Sequence, residues 1–271
     1  MKVINSLQND TIKYFKKLNE KAFRKQEQKF IVEGKHLVEE ALKTNLVEIV
    51  VSSDVNFLNK LEGVEKYLVN DNIIKKISNT KNPQNVLGIV RMFDTSKKVL
   101  EKEFSKTKSS LVMFDDINDP GNLGTLIRTS AALGYDGIIL SNSSVDIYND
   151  KTVRASQGSI FKIKIIYTDL EEIIKELKKN NYTLIGTSLK HSVKLEDTPR
   201  KDKFVICLGN EARGMSDKVL DLMDTNIKLT MHNDVESLNV MVAGSIIMYE
   251  LQKKESNHWL DFFTFYNNYH Q

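Results

Sequence analysis

The sequence predicts an α/β protein of two domains, and three observations support this. Strand-like apolar segments alternate with helical patterns along most of the 271 residues. In the second half the strands are apolar on both faces, which is typical of a parallel sheet covered by helices. A charged segment poor in large apolar residues, DTSKKVLEKEFSKTKSS at positions 94–110, separates the two series. We therefore expect domains at 1–95 and 110–271, joined by a linker at 96–109.

The first domain is expected to be a compact unit of four strands and four helices. β-branched or aromatic segments predict strands at 29–33, 47–52, 66–69 and 86–93. Apolar residues at helical spacing predict helices at 8–20, 35–43, 56–61 and 73–77. A further short helix is expected at 99–104, within the linker.

The second domain is expected to be a parallel sheet of six strands. Its apolar segments predict strands at 111–114, 137–140, 162–167, 182–187, 204–208 and 226–230. The last helix, expected at 236–252, is apolar enough to be buried. Ligands of such sheets bind beyond the carboxyl ends of the strands, so the loops there are the candidate site.

The charge balance excludes a polycationic nucleic-acid binder but allows a local basic patch. Lys and Arg number 39 against 36 acids, a net charge of +3. Positions 1–35 nevertheless carry nine basic residues against four acids, with Tyr14, Phe15 and Phe23 among them. Cations among aromatic rings suit phosphate contact and base stacking. A solvated helix face above an ordinary apolar stripe is the alternative.

Several classes of site are excluded by composition. The single cysteine, Cys207, rules out a disulfide framework and a Cys-rich zinc site, and we expect a buried thiol. The five histidines show no metal-ligand spacing, so no metal is expected. The longest uncharged stretch, 237–249, is shorter than the ~20 residues needed to span a bilayer. We expect a cytoplasmic protein whose aromatic tail, with Trp259, packs on the body or on a partner chain.

Three loops, each directly after an apolar strand, carry the strongest local signals. The first, DDINDPGNLGTLIRTSAALG, has a turn at Asp119 and a potential helix cap at Asn122, with Arg128 six residues later. By itself this is a capped helix with a solvated arginine.

The second loop, CLGNEARGMS, has Gly209 and Gly214 around three polar residues, which suits a tight backbone cradle. A nucleotide P-loop is rejected because Met215 stands where the lysine is required, and no GxGxxG follows any strand. A simple strand-to-helix turn remains an equal alternative.

The third loop, LTMHNDVESLNVMVAG, places Ser237 and Asn239 at the start of an otherwise apolar helix, where they either cap it or face a site. His232 lies nearby, but a hydrolase triad is disfavoured because the chain has no GxSxG elbow.

Taken together, in order and spacing, the three loops resemble the motifs of the SpoU/TrmH family in the SPOUT superfamily. These are knotted, S-adenosylmethionine-dependent RNA ribose 2′-O-methyltransferases. DPGNLGTLIRTSAALG, LGNEARGMS and LTMHNDVESLNVMVA are similar to the first, second and third motifs. FIVEGKHLVEEAL and NPQNVLGIV resemble the substrate domain that precedes many such catalytic domains. Thr230, Asn233 and the pair Ala212-Arg213 depart from the family pattern, which affects loop geometry and subfamily.

The resemblance implies a deep trefoil knot at the carboxyl end of the sheet and a site built on the loops. It implies a catalytic Arg128, oriented with the sugar by Asn122, Glu211, Ser237 and Asn239. The implied S-adenosylmethionine site consists of Thr187, Ser188, Gly209, Asn210, Gly214, Leu229, Met231 and Leu238. The RNA contacts expected from charge and resemblance are Lys13, Lys16, Lys17, Arg24, Lys25, Lys35 and Arg154.

The resemblance also implies a homodimer whose partner chain helps complete the site. The separate front domain favours large-subunit ribosomal RNA over transfer RNA as acceptor. A non-catalytic RNA-binding or ribosome-associated protein and a small-molecule enzyme are the alternatives.

The role of Arg128 has two versions. A guanidinium is a poor base near pH 7 because it stays protonated. Arg128 either loses its proton only when the sulfonium and an RNA phosphate are arranged around it, or it binds the phosphate and stabilises the reaction electrostatically.

Overall fold

The computed structural model describes residues 1–189, 192–199, 201–231 and 238–252. The first domain contains β1 (Lys2–Ile4), α1 (Asp10–Lys17), α2 (Lys21–Glu27), β2 (Lys29–Glu33), α3 (Lys35–Leu42), β3 (Val47–Ser52), α4 (Val55–Asn59), β4 (Glu65–Val69), α5 (Asp71–Ile77) and β5 (Val86–Arg91). Its sheet has the order β1-β4-β3-β5-β2, with β5 antiparallel to both of its neighbours.

The predicted helix at 8–20 is shorter than expected and a second helix follows it. Asn9 starts α1 by accepting a hydrogen bond from the Thr11 N–H, and α1 ends at Lys17. Glu20 is extended, so the chain turns before α2 begins. Strand β1 was missed because three residues, two of them exposed, carry no periodic signal.

The segment predicted to be a linker packs on the second domain. A 3-10 turn at Lys97–Leu100 leads into α6 (Glu101–Phe104), the short helix expected there. Leu100 is fully buried and Phe104 nearly so, in a cluster with side chains of the second sheet.

The second domain follows with β6 (Ser109–Phe114), α7 (Pro120–Ala132), β7 (Gly137–Ser141), α8 (Asp150–Ala155), β8 (Lys164–Thr168), α9 (Leu170–Lys179), β9 (Thr183–Thr187), β10 (Val193–Lys194), β11 (Lys203–Leu208), α10 (Asp217–Leu220), β12 (Thr225–Lys228) and α11 (Val240–Gln252). Its seven-stranded sheet has the order β10-β12-β9-β11-β6-β7-β8. Every pair is parallel, as predicted.

This topology positions the site. Because all strands are parallel, their carboxyl ends lie at one edge, where the loops after β6, β9, β11 and β12 come together. Strand β6 is buried along its whole length, so only the residues after Phe114 reach that edge. The trefoil knot remains a prediction, since the third loop lies partly outside the described residues.

The two domains pack directly on each other. The Phe30 ring of β2 lies 4.8 Å from that of Tyr148, centroid to centroid. The buried Arg24 guanidinium is 2.9 Å from the Asp146 carboxylate, and Lys162 lies 2.7 Å from Glu40. Within the described ranges, none of the helices is long and apolar enough to cross a membrane.

Candidate functional site

A cavity of about 480 Å³ opens at the carboxyl edge of the parallel sheet. It lies between the loops after β9, β11 and β12 and the start of α11. All of the residues assigned to the cofactor from the sequence line it, namely Thr187, Ser188, Gly209, Asn210, Gly214, Leu229, Met231 and Leu238. The fold thus brings four separate parts of the chain together around one pocket. The volume of this pocket is within the ~300–1,000 Å³ that is typical of small-molecule sites.

The second loop is a tight hairpin, as its glycines predict. Asn210 and Gly214 exchange backbone hydrogen bonds of 2.9 Å in both directions. Gly214 has φ +72°, a conformation that few other residues adopt. A Cβ on Gly209 would lie 2.1 Å from the Gly214 carbonyl carbon, so the hairpin closes only around a residue without a side chain.

Two aspartates directly after β6 hold this hairpin in place. The Asp115 carboxylate accepts hydrogen bonds of 2.7 Å from both the N–H and the hydroxyl of Ser216. The Asp116 carbonyl accepts one of 2.8 Å from the Asn210 amide, and the Asp116 carboxylate pairs with Arg213. Sequence reasoning missed both aspartates, although two acids directly after a buried strand were the available signal.

Side chains from all three loops form a hydrogen-bonded row beside the cavity. Glu211, which lines the cavity, accepts a bond of 3.2 Å from the Asn122 amide. The Asn122 oxygen in turn accepts one of 3.4 Å from the Asn239 amide. Asn239 also caps α11 by accepting from the Met241 N–H at 2.8 Å. Three residues predicted to act together therefore do lie together.

Glu211 is held as a carboxylate. Burial raises its pKa, but hydrogen bonds outweigh this, chiefly from the Asp119 N–H and also from Asn122 and the Asn118 N–H, and keep the pKa below its usual value. The Glu211 carboxylate is thus a hydrogen-bond acceptor at neutral pH, and it connects the loop after β6 to the hairpin of the second loop.

Arg128 stands apart from this row. It is exposed on α7, six residues or about 9 Å along the helix from Asn122. Within the described part of the chain it has no hydrogen-bond or ion-pair partner, so its guanidinium is available to a ligand. Ser237, the remaining residue of the predicted set, lies outside the described residues.

Some residues of the cavity were not predicted because their apolar side chains look like core in the sequence. Met215 lines the wall, and its sulfur accepts a hydrogen bond of 3.3 Å from the Thr187 N–H. Val240, Ala243 and Ile247 contribute one side of α11. Cys207 is buried as expected, and burial raises the pKa of its thiol.

Most of the cations predicted to contact RNA have partners within the protein. The pairs are Lys13 with Asp10, Lys16 with Asn79, Lys17 with the Phe23 ring, Lys35 with Glu39 and Arg154 with Asp150. Lys25 is exposed, and its ammonium group has no partner among the described residues.

Arg24 is buried in the protein, which corrects the expectation that it contacts RNA. Its side chain is 6% exposed, donates to the carbonyls of Leu18 and Asn19, and pairs with Asp146 of the second domain. Charge counting could not distinguish this buried arginine from its exposed neighbour Lys25. We therefore remove Arg24 from the proposed RNA contacts.

Comparison with known families decides the classification. The model of the SpoU rRNA Methylase family matches residues 109–249, which span all three loops. This chain belongs to the SpoU rRNA methylase family. The model of the MRM3-like substrate binding domain matches residues 9–88, within the first domain.

The similarity of this SpoU family member to known methyltransferases covers nearly the whole chain. The 23S rRNA (guanosine(2553)-2'-O)-methyltransferase RlmP of Bacillus subtilis is 34% identical over 93% of this chain and 100% of its own length. The AdoMet-bound rRNA methyltransferase of Sinorhizobium meliloti superposes with a TM-score of 0.84 at 29% identity, covering 93% of this chain and 97% of that one. The SpoU methyltransferase AviRb of Streptomyces viridochromogenes, with a TM-score of 0.81 at 21% identity over 90% and 97% of the two chains, shares the fold.

The described parts of this SpoU family member contain no group of three or more His, Cys, Asp or Glu residues arranged to hold a metal ion.

Proposed function

We propose that the chain transfers a methyl group from S-adenosylmethionine to a ribose 2′-hydroxyl of structured RNA, with large-subunit ribosomal RNA as the acceptor. The observation that carries this proposal is the row formed by Glu211, Asn122 and Asn239 beside the 480 Å³ cavity. Family membership and the activity named for the B. subtilis relative support it.

The cavity suits S-adenosylmethionine in shape and chemistry. Leu229, Met231 and Leu238 offer apolar side chains to an adenine ring. The hairpin at Gly209 brings polar backbone groups close to a ligand because no side chain intervenes. When bound, S-adenosylmethionine would supply a methyl group on a positively charged sulfur. Transfer would join that methyl to the ribose 2′-oxygen, break the carbon–sulfur bond with its electron pair left on a neutral thioether sulfur, and release the hydroxyl proton to water.

The chain's own residues orient the sugar and stabilise the charge that develops on its oxygen. Asn122 and Asn239 present side-chain amides that donate to, or accept from, ribose hydroxyls. Glu211, ionised and fixed by three donors, sets the position of Asn122. Arg128, without a partner in the described part, binds an RNA phosphate or the developing oxyanion, which makes electrostatic stabilisation the favoured version of its role.

Transfer of labelled methyl from S-adenosylmethionine to total RNA tests this function. We expect label in RNA that disappears when the RNA is digested beforehand. RNA binding without transfer would favour the non-catalytic alternative, and label insensitive to RNase would favour a small-molecule acceptor. Label confined to transfer RNA would move the acceptor to the other RNA class.

We further propose that the protein is a homodimer joined through α11. Val242, Ile246 and Tyr249 on α11, with Leu238 just before it, recur at intervals of three or four residues. Each is 37–41% exposed, so together they form an apolar stripe. The opposite side of α11 packs on α7, the helix that carries Arg128. A partner on the stripe would therefore lie beside the site. Light scattering should give twice the chain mass, and Ile246→Lys should reduce it to the monomer mass; a monomeric parent protein would contradict the proposal.

The division into a substrate domain at 1–95, a connecting segment at 96–109 and a methyltransferase domain at 110–271 remains part of the proposal, as does a cytoplasmic location. The separate family matches at 9–88 and 109–249 support the division.

A further inference from the structure

A second cavity, of about 370 Å³, lies where the two domains meet. The first domain contributes α2 and the chain after β5, and the second contributes the loop after β7 and the end of β8. None of the residues that form the methyl-transfer site lines it. Its volume is within the ~300–1,000 Å³ of small-molecule sites and is sufficient for one nucleotide.

Rigid aromatic rings form part of its wall. The rings of Phe93 and Tyr148 meet edge to face with centroids 5.3 Å apart. The Tyr148 hydroxyl donates to the Phe93 carbonyl at 3.0 Å and accepts from the Phe93 N–H at 3.1 Å. Tyr148 is buried, at 8% exposed, and its ring also packs on Phe30, so this fixed ring supports Phe93, which is only partly buried and faces the cavity. Fixed aromatic surfaces are what proteins use to stack unpaired bases.

Two lysines whose ammonium groups have no partner among the described residues line the cavity. Lys21 and Lys25 are one helical turn apart on α2 and both are exposed, and neither ammonium group has a hydrogen-bond or ion-pair partner in the described ranges. This distinguishes them from the neighbouring Lys13, Lys16 and Lys17, which are all engaged within the domain. Lysines without a carboxylate partner are the side chains most available to phosphate.

Groups able to read a base edge are also present. The exposed Asn142 amide has both donors and an acceptor, and it has no partner among the described side chains. Thr95, which is partly buried, also lines the cavity, and its hydroxyl has no partner among the described residues. The cavity therefore combines aromatic rings, phosphate-binding cations and an amide.

The cavity is one strand away from the methyl-transfer site. The end of β7 and the loop after it are hydrogen-bonded to the loop after β6. The Ser141 hydroxyl accepts from the Asp116 N–H at 3.0 Å, and the Val145 N–H donates to the Ile117 carbonyl at 2.9 Å. The loop after β6 leads into α7, which carries Asn122. One RNA molecule can thus reach both places.

We propose that this interdomain cavity binds one unpaired nucleotide of the RNA, with its base against Phe93, which Tyr148 supports, and its phosphate at Lys21 and Lys25. The inference rests on the proposed RNA methyl transfer and assigns part of its substrate recognition to the junction of the domains. The nucleotide held here is a neighbour of the acceptor in space, not the acceptor itself.

A pair of matched double variants tests the cations. Lys21→Ala/Lys25→Ala is compared with Lys179→Ala/Lys201→Ala, which removes the same charge from exposed lysines at the amino edge of the sheet. With unmodified 23S rRNA transcribed in vitro, we expect the first pair to raise the KM for RNA roughly tenfold and to lower the salt slope of binding by about 2. The kcat and the affinity for S-adenosylmethionine should not change, and the control pair should stay within twofold of the parent protein. Equal effects of the two pairs would overturn the inference.

A variant that removes no charge and a cross-linking experiment test whether the cavity binds the base of the nucleotide. Asn142→Ala should raise the KM for RNA about fivefold while leaving the salt slope unchanged, because an amide makes no counterion-releasing contact. Irradiation of the complex with 4-thiouridine-containing RNA should cross-link the peptide that contains Phe93 or Tyr148. Cross-links found only elsewhere in the chain would contradict the proposal.

These outcomes distinguish failure of the cavity proposal from failure of the proposed function. If the parent protein methylates RNA while Lys21→Ala/Lys25→Ala and Asn142→Ala both behave like it, the cavity proposal fails and the function stands. If no methyl is transferred to any RNA but the cross-link to Phe93 or Tyr148 persists, the function fails and the nucleotide site stands.

Discussion

The second loop and the basic leading segment, 1–35, were both assigned to function from the sequence, and they differ in how much of that assignment the structure supports. In the loop, Gly209, Asn210 and Gly214 all line the cavity and shape the hairpin. In the leading segment, only some cations face solvent without a partner, and Arg24 is buried. A motif specifies backbone geometry, which few residues can satisfy, whereas a charge count does not specify which side of an element a side chain occupies.

The largest effect should come from Arg128→Ala. Losing the cation proposed to bind an RNA phosphate or the developing oxyanion should lower kcat roughly 100- to 1,000-fold, as removal of such groups does in other enzymes. S-adenosylmethionine binding, measured by calorimetry, should be unaffected because Arg128 does not line the cofactor cavity. Arg128→Lys should recover part of the rate; full activity of Arg128→Ala would contradict both versions of its role.

Arg24→Ala and Lys25→Ala compare a buried with an exposed cation at adjacent positions. Arg24→Ala leaves the Asp146 carboxylate without its buried partner, and the free energy of unfolding should fall by about 3 kcal/mol. Lys25→Ala should leave stability within about 0.5 kcal/mol because it is exposed and unpaired among the described residues. Urea titrations of both variants measure this, and equal stabilities would show that burial does not distinguish the two.

Gly209→Ala should weaken S-adenosylmethionine binding roughly 30-fold, equivalent to about 2 kcal/mol of overpacking. Its Cβ would lie 2.1 Å from the Gly214 carbonyl carbon, so the hairpin must open. Gly214→Asn is the control, because no atom lies within 4 Å of the position of its Cβ and asparagine tolerates a positive φ. If Gly214→Asn lost as much affinity as Gly209→Ala, the loss of S-adenosylmethionine binding would be due to a strained backbone φ angle and not to a clash of the new Cβ.

Glu211→Gln should lower kcat/KM about tenfold, a cost of ~1.4 kcal/mol, comparable to one hydrogen bond to a charged group. An amide has one acceptor oxygen, whereas three donors, from Asn118, Asp119 and Asn122, point at this carboxylate. Asn122→Ala removes the same link from the other side. The double variant should therefore lose less than the two single effects combined, while additive losses would mean that the two residues act independently.

The smallest effect concerns acid sensitivity at the junction of the domains. Hydrogen bonds from Lys162 and Lys43 hold the pKa of the buried Glu40 carboxyl at about 2, against an ordinary 4.5. The stabilisation is present above pH 4.5 and is lost as the pH falls towards 2. Glu40→Gln should cost about 1 kcal/mol at pH 7, and the difference from the parent protein should narrow below pH 4.5. A difference that is constant with pH would argue against an ionised Glu40.

Much of the fold was predictable because the strands carry unambiguous patterns. Strands β2 and β3 were predicted at their observed bounds, and the alternation of apolar strands and helices predicted the parallel sheet. Strand β1 was not predictable, because its pairing with the distant β4 is set by tertiary contact.

The site was predictable where its chemistry lies in side chains at fixed spacing, and less so elsewhere. Asn122, Glu211 and Asn239 come together as the motifs imply. Asp115 and Met215 were not predicted, because an acid after a strand and an apolar side chain look like ordinary turn and core residues in the sequence. The interdomain cavity combines residues from 21 to 167, a juxtaposition that no local pattern contains.

Mapping ribose 2′-O-methylation in cellular RNA, with and without the gene for this chain, tests the central claim most directly. We predict that one 2′-O-methylated ribose of large-subunit ribosomal RNA disappears without the gene and returns when the parent gene, but not the gene for Arg128→Ala, is restored. An unchanged ribosomal RNA pattern, with the missing methyl on a base or on transfer RNA, would contradict the account.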